Sequence, residues 1–194
     1  MAKVYPHQPN NSSSSMAYQR ETYTIWMKSL ICHSNGCTVY DSNGNIVYRV
    51  DNYDKKGTRH VNLMDLRGTI LCTIHKRLLG FGRWDVYKCS GSNSKSDEKP
   101  WFQVKRCYKM MITRTLSCQI IVGCQKYCIQ RIGGKTAFRI VNIDGDIVAN
   151  AKQKHSSSGI VLGNDVLTLD VVADIDHSLI MAFVTVFGLI CHRM

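Results

Sequence analysis

The part of the chain best suited to hold an anion is Gly133-Gly134-Lys135, flanked by Arg131 and Arg139. Glycines let successive backbone N–H groups converge on one point, and three nearby cations supply the charge that a phosphate requires. The alternative for the same residues is a hairpin turn with ordinary surface charges. Lys105, Arg106 and Lys109 stand near Trp101 and Tyr108, a mixture found on nucleic-acid surfaces and at membrane interfaces. Neighbours in a strand point to opposite faces, however, so Lys105 and Arg106 should not act together.

Other chemistry finds little support. Cys32, His33 and Cys37 flank a turn, and Cys124 and Cys128 are closely spaced, so each group could begin a zinc site. Neither is followed by a convincing second pair, and all read as thiols. Leu79-Gly80-Phe81-Gly82 has the wrong spacing for a phosphate-cradling loop and no helix signal after it. His177 lies beside a helix start and reads as structural. No catalytic residue, metal or cofactor is therefore expected, and the chain reads as a non-enzyme.

The elements that would position these residues are mostly hairpins. Val39–Val47, Leu63–Leu71 and Ile140–Val148 share one plan: two apolar residues, Asp or Asn, two free positions, Gly, a polar residue, and two more apolar ones. Asp41, Asp65 and Asn142 can accept a hydrogen bond from the backbone two residues on. Gly44, Gly68 and Gly145 then supply the positive φ that closes a three-residue hairpin. Three copies of one turn predict a meander of antiparallel hairpins.

Further strands are expected over 23–30, 59–65, 69–76, 83–89, 101–108, 119–123, 127–132 and 166–172, all short and rich in aromatic or β-branched residues. Along 83–88, Trp84 and Val86 alternate with Asp85 and Tyr87. Residues 113–117 stay unassigned.

The last apolar run, Leu179 to Cys191, has Thr185 as its single polar residue and no strand alternation. Asp174 and Asp176 precede it as N-cap candidates. As a helix it measures about 20 Å, too short for a hydrocarbon layer of ~30 Å. A helix apolar on all sides but too short to span belongs inside a core. The expectation is a sheet curled into a closed barrel around it, which also removes exposed strand edges.

With 194 residues, 44% of them hydrophobic, the chain can build its own core. Residues 1–19 are polar and read as a flexible tail, leaving one domain over 20–194. The 25 Lys and Arg outnumber 14 Asp and Glu, for a net charge of +11. Residues 99–154 hold eleven of those cations against Asp144 and Asp146. Such a balance favours anionic partners: a lipid surface, nucleic acid or an acidic protein.

Nine cysteines, an odd number with several in apolar strands, point to a reducing compartment. Residues 1–19 have no apolar core, so no secretory leader is expected, and Ala2 stands where myristoylation needs glycine. The expected location is intracellular, in the cytoplasm, peripherally on a membrane or in the nucleus, and not secreted.

Several stretches resemble the LURP-one-related proteins of plants. They are Gly44–Tyr53, Leu63–Leu71 followed by Arg83-Trp84, Leu162–Leu169, and Asp176–Met181, in order and at matching spacing from about residue 23 to 190. The chain departs from that pattern at Ala173–Asp176, where Pro-Gly is usual. It also departs at Phe187–Ile190, where Leu-Asp-Gln-Ile is usual, and at Ala149-Asn150.

The resemblance implies a tubby C-terminal-like fold: mainly β, a closed antiparallel barrel of about twelve strands around a buried hydrophobic C-terminal helix. The superfamily includes the phospholipid scramblases and the phosphoinositide-tethered tubby proteins. At least one plant relative is linked to pathogen defence, and no enzymatic activity is established for the group.

The function expected is a non-enzymatic binding or signalling module that recognises anionic phospholipid peripherally and acts in plant defence. The alternatives are a protein-interaction scaffold and a nucleic-acid-associated transcriptional regulator, nucleic acid ranking behind lipid and protein partners. The oligomeric state is left open, and a monomer is compatible.

Overall fold

The computed structural model describes residues 19–27, 35–52, 60–77, 82–89, 99–107, 117–132 and 136–191. Twelve strands run in chain order: β1 (Arg20–Trp26), β2 (Asn35–Tyr40), β3 (Ile46–Asn52), β4 (His60–Asp65), β5 (Ile70–Lys76), β6 (Arg83–Lys88), β7 (Phe102–Cys107), β8 (Ser117–Val122), β9 (Gln125–Arg131), β10 (Phe138–Val141), β11 (Ile147–Gln153) and β12 (Val166–Val172). Each pairs antiparallel with the next, and β12 returns to pair with β1 from Arg20↔Val172 to Trp26↔Val166. The sheet is a closed meander, so every strand is hydrogen-bonded on both sides.

One helix, α1 (His177–Ile190), follows β12 and fills the interior. Its length, about 21 Å at 1.5 Å per residue, matches the span of six- or seven-residue strands. Eleven of its fourteen residues are buried. Phe183 packs at right angles to Phe102 (4.9 Å between centroids) and tilts against Tyr127 (5.3 Å), while Phe187 meets Phe138 (4.9 Å). Small residues on β11, Ala149 and Ala151, are completely buried in the same core, Ala151 opposite Phe138. Thr185, polar inside the core, donates its hydroxyl to the Met181 carbonyl one turn back at 2.8 Å. The buried donor is thereby satisfied within the helix.

At the helix start the Asp176 side chain accepts from the Ser178 N–H (2.9 Å), the Leu179 N–H (3.4 Å) and the Ser178 hydroxyl (2.6 Å). Of the two candidates, Asp176 is thus the cap. Next to it, His177 Nδ1 lies 2.7 Å from the Tyr23 hydroxyl, which donates to Glu21 Oε2 at 2.8 Å. His177 Nε2 faces the Val172 carbonyl at 3.4 Å. The imidazole therefore ties α1 to β1 and β12.

The three matched turns adopt one geometry. Gly44, Gly68 and Gly145 have φ of +83°, +81° and +91°. Their N–H groups donate back to the Asp41, Asp65 and Asn142 carbonyls at 3.1, 3.1 and 3.3 Å. The side-chain bond common to all three reaches one residue past the glycine: Asn45 N–H to Asp41 (2.8 Å), Thr69 N–H to Asp65 (2.8 Å) and Asp146 N–H to Asn142 (2.8 Å). The shorter reach, two residues on, is seen at Asp41, from the Asn43 N–H at 2.9 Å. Beside each turn the pairing shifts register, at Val39/Tyr40, Leu63/Met64 and Ile140/Val141 on the entering strand. The unpaired residue of each shift is Val47, Leu71 or Val148, on the strand that leaves the turn.

Two expectations change. Asp85 occupies the outer face as alternation requires but is 5% exposed, because Arg77 Nε covers it at 2.7 Å and Gln103 Nε2 donates to it at 3.0 Å. Ser117 and Cys118, at the edge of the unassigned stretch, begin β8. Residues 113–116, and the outer ends of the strands expected over 23–30 and 101–108, lie outside the described residues.

Two predictions follow from the core and the turns. Phe183→Ala should cost about 3–5 kcal/mol in urea unfolding, since a fully buried ring is removed between two aromatic neighbours; a loss below about 1 kcal/mol would contradict a helix packed as the core. At Gly44, Gly68 and Gly145 an added Cβ meets nothing within 4 Å, so any cost is conformational. Valine at each should destabilise by about 1–2 kcal/mol and asparagine by much less, because asparagine tolerates positive φ. Equal costs for the two substitutions would refute that account.

Candidate functional site

An up-and-down barrel sorts its loops by end. The β2–β3, β4–β5, β8–β9 and β10–β11 turns all lie at the rim where β12 hands over to α1. The carboxylates of Asp41, Asp65, Asp144, Asp146, Asp174 and Asp176 gather there, with Arg67 and Lys88 among them. At the opposite rim, where α1 ends, β5, β6, β7, β9 and β11 bring Arg77, Arg83, Arg106, Arg131 and Lys154.

Hydrogen bonds favour the ionised form of three carboxylates on this rim, Asp41, Asp65 and Asp176. The Asn45 N–H and side-chain amide pull the Asp41 carboxyl below its ordinary range. The Thr69 N–H does the same for Asp65. At Asp176 burial opposes ionisation, but the bonds from Ser178 and Leu179 outweigh it and its value is also lowered. Tyr23 is raised by burial and then by Glu21, and Tyr48 by burial and then by Asp176 and Glu21. Both remain neutral phenols. Burial pushes the Cys72 and Cys118 thiols up to about 12, so neither supplies a thiolate at neutral pH. Among the described residues no group of three or more His, Cys, Asp or Glu is placed to hold a metal ion. Cys37 is buried, Cys124 is exposed, and Cys32 and His33 lie outside the described residues.

The two described arginines of the anion-binding candidate are not brought together. Arg131 follows Tyr127 and Ile129 on the inward side of β9, and its Nη2 reaches Cys191 Sγ at 3.3 Å, at the C-terminal end of α1. Arg139 points outward from β10 and donates from Nε to Gln130 Oε1 at 2.9 Å. The register explains this: Arg131 pairs with Phe138 and Gln130 with Arg139, so the arginines occupy adjacent rows facing opposite ways. Gly133, Gly134 and Lys135 lie outside the described residues. The shared grip proposed for the two arginines is thus replaced by two separate roles.

Nor do the cations of the basic segment share one face. Lys105, Lys126, Arg139 and Lys152 face outward from β7, β9, β10 and β11, around a wide arc of wall, while Arg106 and Lys105 diverge as neighbours must. Lys154 Nζ bonds the Thr24 hydroxyl, and Lys152 lies 3.9 Å from Asp170. In the described registers, two cations stand directly opposite each other at one place, Arg83↔Lys105. Arg83 comes from outside the basic segment. Its signal, the dipeptide Arg83-Trp84, is present in the sequence, but the intervening loop conceals which residue of β7 it meets.

Comparison with known proteins follows the fold. The family described as LURP-one-related matches residues 21–188. LURP-one-related protein 4 of Arabidopsis thaliana is 47% identical over 193 residues, covering 98% of this chain and 87% of that protein. LURP-one-related protein 11 of the same plant is 36% identical, covering 98% and 89%. The X-ray structure of another Arabidopsis thaliana protein superposes with a TM-score of 0.62 at 18% identity, covering 90% of this chain and 93% of that one. At that identity the likeness speaks for the fold.

The lowered carboxylates should contribute to the acid limb of stability. A depressed folded value means that the contribution is full above the unfolded carboxylate pKa, about 4, and is lost as pH falls through the lower folded value. Asn142 keeps the same turn without a charge. The double variant Asp41→Asn/Asp65→Asn should therefore keep a neutral-pH Tm near the parent's and lose less Tm between about pH 5 and pH 2. Circular dichroism melts across that range check this; parallel acid limbs would count against the role assigned to the turn carboxylates.

Proposed function

The chain belongs to the LURP-one-related family, and on that premise we propose that it is a non-enzymatic binding module that attaches peripherally to anionic phospholipid at a membrane surface. The observation that carries this reading is how the two signs of charge are used. Asp41, Asp65 and Asp176 are anchored at one rim by backbone N–H groups, Asp85 faces Arg77 and Gln103, and Asp170 lies between Thr22 and Lys152. Lys105, Lys126, Arg139 and Lys152 face solvent, on a chain with a net charge of +11. With the ionised Asp41, Asp65 and Asp176 gathered at one rim, the outward cations leave the wall net positive. Each Lys or Arg close to an anionic bilayer contributes about 1 kcal/mol, so a few per orientation give weak, reversible attachment.

Membership of the LURP-one-related family supports the non-enzymatic part of the reading. The Cys72 and Cys118 thiols, buried in the core, fit a reducing intracellular location, at the cytoplasmic face of a membrane. No helix among the described residues is long and apolar enough to cross a bilayer. A part in plant defence signalling rests on the family resemblance.

Co-sedimentation of the whole chain with vesicles tests the proposal. Binding is expected to phosphatidylcholine vesicles carrying phosphatidylserine, not to phosphatidylcholine alone, and should decline toward 1 M salt as the screening length shrinks to about 3 Å. Equal binding to both vesicles, or to neither, would overturn it. Tighter binding to duplex DNA than to anionic vesicles would favour the nucleic-acid reading instead.

A further inference from the structure

We propose that the outer-wall groove across β6, β7 and β8 is a binding site for a phosphate monoester, gripped by Arg83 and Lys105. The inference deepens the anionic-surface reading, on which it rests only for the source of the ester. The three strands place Arg83, Lys105 and Gln119 in one transverse row, and Asp85, Gln103 and Ile121 in the next. The intervening residues, Trp84, Val104 and Ile120, are buried toward α1, so both rows face outward. Between them lies a concavity of about 300 Å³. That is the low end of ligand-site volumes, enough for a headgroup or a small sugar phosphate.

Among the described residues, no acidic side chain compensates the charge of Arg83 and Lys105 in the groove. Directly opposed side chains have Cβ atoms about 5 Å apart, and like charges there destabilise a sheet. Asp85 is the carboxylate in the groove, but Arg77 Nε holds it at 2.7 Å from one side and Gln103 Nε2 at 3.0 Å from the other. Among the described residues neither Arg83 nor Lys105 has an acidic partner. A dianionic phosphate between them would turn the repulsion into two attractions. The guanidinium can meet it with two parallel N–H bonds and the ammonium as a point charge.

The remaining groups fit the rest of an ester. Gln103 spends its amide N–H on Asp85, which leaves its carbonyl oxygen to accept from a hydroxyl. Gln119, in register with Lys105, carries a second amide. Ile121, 48% exposed at the edge, offers an apolar contact for the carbon skeleton.

The cation pair is also held in place by the backbone. Gly82 enters β6 at φ +67°, and its carbonyl accepts from the Arg106 N–H at 3.0 Å. A Cβ there would lie 2.9 Å from the Arg106 Cβ. The close approach, open to glycine alone, draws the start of β6 onto β7 and keeps Arg83 level with Lys105.

The test compares the parent with Arg83→Gln/Lys105→Gln and with Lys126→Gln/Lys152→Gln, which removes the same charge elsewhere on the wall. Two probes separate the sources: glycerol 3-phosphate followed by calorimetry, and phosphatidylcholine vesicles carrying phosphatidic acid followed by flotation. The groove variant should lose tenfold or more in affinity for whichever probe the parent binds; the control keeps its affinity for glycerol 3-phosphate and loses less than the groove variant on vesicles. Its ligand-free Tm should equal or exceed the parent's, because repulsion has been relieved; a merely structural pair would lower it. If the parent binds glycerol 3-phosphate through the groove but no vesicle, the site stands with a free ester as its ligand and the membrane reading fails. If it binds phosphatidic acid vesicles and both variants bind equally, the groove is wrong and the membrane reading survives. Binding of neither probe by the parent overturns the site.

Discussion

A barrel of twelve strands has an interior too wide for side chains alone, which suffice at about eight, and filling that space is the constraint on which the other features depend. The chain meets it with α1. Its rings reach across to Phe102, Tyr127 and Phe138, and Ala149 and Ala151 face the same core from β11. The dispersion contacts and apolar burial of such a helix are the largest favourable contribution in a fold of this kind. Helix and sheet are mutually dependent: α1 is too apolar for water, and the barrel without it is a void.

Burying a helix creates a problem at its two ends, where four N–H and four C=O groups lack partners within the helix. The N-terminal end is met by the Asp176 carboxylate and lies at the rim rich in turn carboxylates. At the other end the Cys191 N–H returns to the Phe187 carbonyl at 3.0 Å, and the Arg131 guanidinium reaches Cys191 Sγ. Negative charge thus accompanies the positive end of the dipole, and positive charge the negative end. Meander topology makes this alignment possible without long-range design, because every second turn falls on the same rim. An Asp placed first in a turn for local reasons arrives automatically at the end where it also favours α1.

Much of this is readable from residues. The apolar run from Leu179 announces a buried helix by its composition and its length, and Asp-x-x-Gly between apolar pairs announces the turns by what glycine and a short acceptor do locally. Each of those signals is contained in a dozen residues. What resists reading is any property that depends on register between strands. Arg131 and Arg139 look like neighbours because they flank one turn, yet a pairing offset of one residue sends one inward and the other outward. Arg83 and Lys105 look unrelated, separated by the loop after β6, yet the register sets them face to face. Asp85 shows a third case: alternation gives its face correctly but not its burial, which Arg77 supplies from beyond the strand.

Register therefore divides the chain into two sets of positions with different freedom. Inward residues answer to α1, so changing one requires a compensating change in volume elsewhere in a close-packed core. Outward residues on the same strands answer mainly to their cross-strand neighbours and can change without disturbing that core. A structure alike in fold at 18% identity shows how little of the sequence the barrel itself demands. Binding specificity in such a protein belongs on the wall, and an unfavourable arrangement there is informative because nothing in the core compels it. The opposed cations of β6 and β7 are an arrangement of that kind: the fold has no need of them, and their juxtaposition lowers stability unless something anionic lies between.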